Sequence, residues 1–318
     1  MTVGIYAAVV SMPMVYEDHN WAGELQPERG PLSPWDIPSR SLTMRSFVWN
    51  QQIDGLNPRG FHAVNLALHL LVGLLVWRLA GLVTGDSRAA VFAALVMLWH
   101  PLNSQAVSYV SARTDLLMTA CVLSAVIGLL VCRWIVPFAV LGALVSKESG
   151  VAVFALLFWS WIALKGWSWR VMAVALVGLV LVALSAERLW FALNLSDWRS
   201  MGEHVAIQAT GFWRALALFV VAVGLSIDPD PWSAPVALQW ASVAGVAMLA
   251  GLAVCMRERL PVLAFGLGWA VLAVSPRFVA VAQGEPIHEH HLYLPMAGLS
   301  VLAGWGLSHL RLGELRYA

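Results

Sequence analysis

Two adjacent carboxylates, Glu17 and Asp18, appear where the first apolar run of the chain ends. Further clusters of ionisable groups interrupt the apolar sequence. They are His100 through Asp115, which includes Arg113; Lys147-Glu148; Asp228-Pro229-Asp230; and Arg277 through His291, which holds Glu289 and His290 and leads into Tyr293. A carboxylate at the rim of a cavity can take a proton from a hydroxyl or bind a cation, while Arg, Lys and His can stabilise a departing phosphate. The competing reading is that charges at the ends of membrane helices only mark where the chain re-enters water. What decides is whether the clusters return to one side of the membrane.

The elements that must position these residues are apolar. The 318-residue chain is 60% hydrophobic and 12% charged, with a mean hydropathy of +0.74. Soluble domains carry about twice that share of charge, so the composition describes a membrane protein. A net charge of +1 argues against nucleic-acid binding. Seventeen Trp suit the headgroup layer. Cys121, Cys132 and Cys255 lack metal-ligand spacing and form no disulfide framework. The N-terminus has no basic region and no small-residue cleavage pattern, so it reads as a retained, shortened first helix from Thr2 to Val15.

Taken in order, residues 16–60 form a Pro-rich first outer loop, whose second half, Ser41 to Ile53, reads as an amphipathic helix on the membrane surface. Spans follow at Phe61–Val83, from Ala89 to the His100-Pro101 break, and at Leu116–Val131, Trp134–Val145, Gly150–Leu164 and Val171–Ser185. A polar outer loop covers about 186–211, and a re-entrant or interfacial helix about 212–227. Pro235–Cys255, Leu260–Val274 and Leu292–Leu307 complete the pattern. The expectation is a single all-α, polytopic membrane domain, 1–318, of about ten transmembrane helices. With the acidic pair outside, Arg88, Arg133, Lys165, Arg170, Arg257, Arg259, Arg311 and Arg316 fall at inner ends, and the ionisable clusters share the outer face.

Each candidate has a plainer role. Lys147 and Glu148 could neutralise each other, and Arg113 could pair with Asp115. His100 suits capping or packing. His62 and His69, seven apart on one helical face, suit packing or hydrogen bonding more than metal binding. His288, His290 and His291 favour solvated side chains over a metal site, and Asp228 and Asp230 favour a rigid turn. Trp35 and Trp49 stand in the first loop as sugar-stacking alternatives to interface anchors.

Several motifs carry a family resemblance. Asn57-Pro58-Arg59-Gly60-Phe61-His62-Ala63-Val64-Asn65-Leu66-Ala67-Leu68-His69 resembles the second-helix signature of the transmembrane and tetratricopeptide-repeat O-mannosyltransferases, a family of GT-C membrane glycosyltransferases. His100-Pro101 through Leu117 resembles their "HP...EAV...GRxDLL" stretch, with Lys147-Glu148 as their Lys-Glu pair. Leu225-Ser226-Ile227-Asp228 resembles "LSxD", and Glu289 through Gly298 resembles "EHRLYLPxxG". Three positions depart: Glu17-Asp18 replaces an Asp-Asp pair, Gln105 replaces a Glu, and His291 replaces an Arg. The chain is expected to be the bacterial type, without the repeat array.

The resemblance implies an inverting hexosyltransferase that moves a sugar, mannose or another hexose, from a polyprenyl-phosphate donor to a hydroxyl on protein or glycan. It places Glu17 or Asp18 as catalytic base, and Arg113, Lys147, His290 and Arg277 at the donor phosphate. His100, Asp115, Glu148, Glu289 and Tyr293 line the same cavity. No cofactor is certain from these motifs and no metal site is assigned; a divalent cation stays open. The partners are the lipid-linked sugar, the acceptor and membrane lipid. The expected location is the bacterial cytoplasmic membrane, with the site facing the periplasm. The alternatives are a lipid-linked sugar transporter or flippase, and a non-catalytic scaffold derived from such an enzyme, to which Gln105 and His291 lend support.

Overall fold

Helix punctuation in the sequence sets most of the architecture. The computed structural model describes residues 4, 6–14, 18, 40–167, 169, 172–173, 176, 178, 201–226, 234–279 and 289–310. Among them the regular structure is entirely helical. Helix α1 is Ala7–Val10, α2 is Ser41–Asp54, α3 is Pro58–Thr84 and α4 is Ser87–Trp99. A 3-10 turn, Pro101–Asn103, leads to the short α5, Ser104–Ser108, and then to α6, Arg113–Val131. Helix α7 is Val136–Leu144 and α8 is Ala152–Lys165, preceded by the 3-10 turn Glu148–Val151. Helix α9 is Met201–Val220, α10 is Val236–Met256 and α11 is Pro261–Val279; the turn Glu289–Leu292 opens α12, Tyr293–Ser308.

The longest helix shows why the boundaries fall where they do. Asn57 accepts a hydrogen bond from the Arg59 N–H at 3.2 Å, and Pro58 takes the first helical position, where a missing N–H costs nothing. Gly85 closes α3 at φ 68°, a left-handed conformation that suits glycine. Asp86 then accepts from the Arg88 N–H at 2.8 Å and starts α4. At the other end of α4, Pro101 forces a 52° bend between Ser87–Trp99 and Pro101–Ser108.

Five of the described helical segments are long and apolar enough to cross a membrane: α3, α6, Glu148–Lys165, α10 and Pro261–Phe278; the bent pair makes a sixth if counted as one span. The protein is therefore an all-helical integral membrane protein. Helices α3, α4, α6, α8, α11 and α12 share one apolar core. Small residues let backbones approach within it: a Cβ at Gly304 of α12 would stand 2.5 Å from the Ala89 carbonyl oxygen and the Ala93 nitrogen of α4. Helix α10 lies at the periphery, where Leu238, Trp240 and Met248 are exposed.

Some expected boundaries shift. Helix α9 begins at Met201, inside the segment read as a polar loop, and ends at Val220, before the end of the expected 212–227 helix. Two of its polar residues sit on buried positions: His204 Nε2 donates to the Arg277 carbonyl (2.8 Å), and Gln208 is buried. Reading polarity as loop missed that face. Helix α2 is not simply a surface helix, because Thr43, Met44, Phe47 and Asn50 are buried against the bundle. The expected span Val171–Ser185 lies largely outside the described residues.

Candidate functional site at the start of α6

Within five residues, Ser111, Arg113 and Asp115 each take a partner from a different part of the chain. The Ser111 N–H donates to Asp18 Oδ1 at 2.8 Å, and Asp18 is buried. A carboxylate suits that place, since the N–H groups of a helix start are otherwise unpaired and carry partial positive charge. Arg113 points the other way. Its Nε donates to Asn65 Oδ1 (2.8 Å), Nη1 to the Ser46 carbonyl (3.2 Å) and Nη2 to the Phe61 carbonyl (2.9 Å). The guanidinium lies over the rings of Phe47 and Phe61, 4.6 and 5.5 Å from their centroids. Asn65 in turn donates to the Tyr109 carbonyl at 2.8 Å. The fork thus locks α6 to α2 and α3.

One helical step on, Asp115 accepts from Lys147 with both oxygens at 2.7 Å. Asp115 pairs with Lys147 and not with Arg113. Glu148 instead accepts from Arg40 Nε at 2.8 and 3.1 Å, so the Lys147-Glu148 neighbours do not neutralise each other. The loop holding them is tied to α2 by Leu42 N–H to the Val145 carbonyl (2.9 Å) and by the Thr43 hydroxyl to the Ser146 carbonyl (3.0 Å). Burial pushes the Lys147 ammonium below its ordinary value; Asp115 opposes this, while the positive charges of Arg40 and Arg277 add to it. Arg277, at the end of α11, therefore belongs to the same electrostatic neighbourhood. An ammonium has three protons, so pairing with one carboxylate leaves capacity for an incoming anion.

A second polar seam joins the 3-10 turn before α12 to α5. Glu289 is buried and accepts from the Ser226 N–H at 2.5 Å; the Ser226 carbonyl accepts from Gln105 Nε2 at 3.2 Å. Burial raises the Glu289 carboxyl above its ordinary range, against the pull of the Ser226 N–H and the Arg214 charge. His100 accepts from the Leu102 N–H through Nδ1 (3.2 Å) and so presents Nε2 as donor to the Phe219 carbonyl (2.9 Å). Its ring stacks on Phe219. Tyr293 bonds His69 Nδ1 at 2.7 Å, and His69 Nε2 meets the Leu98 carbonyl at 3.2 Å. The rings of His290 and His291 lie 4.0 Å apart, both half-buried.

The fold thus gathers Asp18, Arg113, Asp115 and Lys147 at one end of α6, with Glu148 and Arg277 beside Lys147. His100 and Tyr293 are instead bonded between helices. Glu17, Asp228, Asp230 and His288 lie outside the described residues. No group of three or more metal-ligating side chains occurs among the described residues. Arg40, Asn65 and Ser226 were missed by sequence reasoning. Asn65 stood inside a quoted motif, but nothing marked it as the partner of Arg113.

Fold and site together describe a polytopic helical membrane protein with a buried carboxylate–cation cluster at one helix start. No protein-family model and no solved structure matches the chain. It is similar in part to curated proteins. It is 37% identical over 76 residues to protein O-mannosyl-transferase TMTC2 of Mus musculus, covering 24% of this chain and 9% of that protein. It is 26% identical over 150 residues to protein O-mannosyl-transferase TMTC3 of Mus musculus, covering 44% and 16%. It is 36% identical over 85 residues to protein O-mannosyl-transferase TMTC1 of Homo sapiens, covering 26% and 9%. The matched segments span less than a fifth of these relatives' own length.

Proposed function

We propose that this chain is a GT-C-type membrane glycosyltransferase that moves mannose or another hexose from a polyprenyl-phosphate donor to a hydroxyl on protein or glycan. Support comes from the partial similarity to proteins named as O-mannosyl-transferases. The observation that carries the reading is that Asp18, bonded to the Ser111 N–H, and the Asp115–Lys147 pair are anchored within five residues of each other at the start of α6. In this reading the reaction occurs at the outer face of a bacterial cytoplasmic membrane crossed by about ten helices.

Asp18, or Glu17 beside it, takes the proton of the acceptor hydroxyl as its oxygen attacks the anomeric carbon. The bond from that carbon to the phosphate oxygen breaks, and Lys147 and Arg277 offset the charge that develops there, with His290 contributing from the turn before α12. Arg113 is assigned a different role from the phosphate contact first expected. Its nitrogens are bonded within the protein, so it holds the site together.

The test is transfer of label from polyprenyl-phosphate mannose to acceptor by the purified, reconstituted protein. Activity that disappears in Asp18→Asn and in Lys147→Met, with folding retained, is the expected result. Wild-type protein that binds or translocates the labelled lipid without transferring sugar would sink the enzyme reading in favour of a transporter or a scaffold.

A further inference from the structure

Adjacent residues of the loop before α8 enter ion pairs of opposite character. The Lys147 and Asp115 side chains, 2.7 Å apart, are 10% and 2% exposed. Those of Arg40 and Glu148, 2.8 Å apart, are 31% and 51% exposed. A buried pair cannot open without stranding a charge where water does not reach it. An exposed pair is weak, because water and salt compete for both partners. The first is fixed structure; the second can exchange one partner for another.

Arg40 is held at this place without help from Glu148. The Leu42 N–H donates to the Val145 carbonyl at 2.9 Å, and the Thr43 hydroxyl to the Ser146 carbonyl at 3.0 Å. The start of α2 is thus stitched to the residues just before Lys147, and Arg40 is the N-cap residue of that helix. Arginine has no acceptor to offer the first turn, so as a cap it is a poor choice. Positive potential from the Arg40 guanidinium, the Lys147 ammonium and the amino end of α2 therefore converges on one short loop. The level of that loop in the membrane points to the anion it suits. Helices α6 and α7 run antiparallel, with Gly142 facing Cys121 and Gly128 facing Ile135 and Val136. The Asp115–Lys147 pair continues the same register. The hairpin tip carries Arg133 and Trp134, both exposed and suited to the headgroup layer. From Val131 up to Asp115 the helix covers about 24 Å, against about 30 Å of hydrocarbon. With the tip at one surface, Arg40 and Lys147 lie close to the opposite boundary, at the depth of lipid phosphates.

We propose that Arg40 binds the phosphate of the lipid-linked donor, and that Glu148 occupies its guanidinium until the donor arrives. The phosphate replaces the Glu148 carboxylate on Arg40 and comes to rest between Arg40 and the Lys147 ammonium, while Glu148 turns to water. A planar guanidinium matches a phosphate as well as it matches a carboxylate, so the exchange conserves charge-assisted hydrogen bonds. Lys147 keeps Asp115 throughout, because that pair is sealed. The identity of the anion rests on the transferase reading above; the exchange of partners on Arg40 does not.

The test uses the full chain in phosphatidylcholine nanodiscs. Radiolabelled polyprenyl monophosphate is the binding probe, and labelled polyprenyl-phosphate mannose reports transfer. Arg40→Gln is expected to weaken probe binding about tenfold or more and to raise donor KM with it. Glu148→Gln is expected to do the reverse, tightening binding about twofold to fivefold, because the competing carboxylate is gone. A bridge that served only to hold α2 would be broken by either variant alike, so weaker binding in both overturns the proposal. Arg40→Gln that binds the probe as wild type does overturns the ligand role. Glu148→Gln that binds no more tightly than wild type overturns the exchange, and does so whether or not Arg40→Gln folds. Inorganic phosphate is titrated in the same discs; a site that takes it and ignores polyprenyl monophosphate overturns the assignment to lipid. Opposite shifts in a protein that transfers no mannose uphold the phosphate site and overturn the transferase reading instead.

Discussion

The Nζ of Lys147 stands 2.7 Å from each carboxylate oxygen of Asp115, across 32 residues of sequence and with both side chains buried. This pair fixes the loop before α8 to the first turn of α6. The Lys147 charge is favoured by Asp115 and opposed by the positive charges of Arg40 and Arg277.

Breaking the pair from one side leaves an uncompensated buried charge. Lys147→Met is expected to cost about 3–5 kcal/mol of stability. The double variant Lys147→Met with Asp115→Leu should recover most of that loss, because no stranded carboxylate remains, while sugar transfer stays absent. Thermal unfolding in detergent, read beside the transfer assay, separates the two effects. A double variant no more stable than Lys147→Met would contradict the pairing.

Arg113 makes a demand that lysine cannot meet. A planar fork serves Asn65, Ser46 and Phe61 at once, whereas an ammonium has no second arm. Arg113→Lys is therefore expected to lose about 3 kcal/mol and to loosen α2 from α3 and α6. Hydrogen exchange should rise in Ser41–Asp54 first. If exchange there matched wild type, the anchoring role would have to be dropped.

Glu289 ties stability to pH. Burial raises its carboxyl above the unfolded value of 4.5, so the folded protein holds this proton more tightly than the unfolded chain does. That contribution is complete below the unfolded value and is lost as pH rises through the folded one. Unfolding midpoints measured from about pH 4 to about pH 8 should show a decline that Glu289→Gln removes. An identical slope in the variant would place the titration elsewhere.

Gly304→Val should injure the bundle without touching the cluster at the start of α6. The added Cβ meets α4 backbone at Ala89 and Ala93, not a flexible side chain, so the helices must separate. A loss of about 1–3 kcal/mol is expected. Gly306, on the same helix with open space around its Cβ position, provides the control: Gly306→Ala should leave the unfolding midpoint near that of wild type.

Much of the helical frame was legible in the sequence because its causes are local. The apolar runs of α3 and α6, the Asn57-Pro58 start, the Gly85 stop and the His100-Pro101 break are decided by a few neighbouring residues and by the absence of water in a bilayer. The face of α9 was not legible, since His204 and Gln208 look like loop residues until the Arg277 carbonyl and neighbouring helices cover them. For the site, the chain announced which chemical groups are present: carboxylates near the start, cations later, histidines on α3. It could not announce partners. Asp18 meets Ser111 across 93 residues, Arg40 meets Glu148 across 108, and Asp115 chooses Lys147 over the nearer Arg113. Ion pairing and desolvation depend on distance in space and on what excludes water, and only the packing of the helices fixes those. The same packing gives two histidines on one helix opposite situations, with His69 bonded at both nitrogens and His62 at neither.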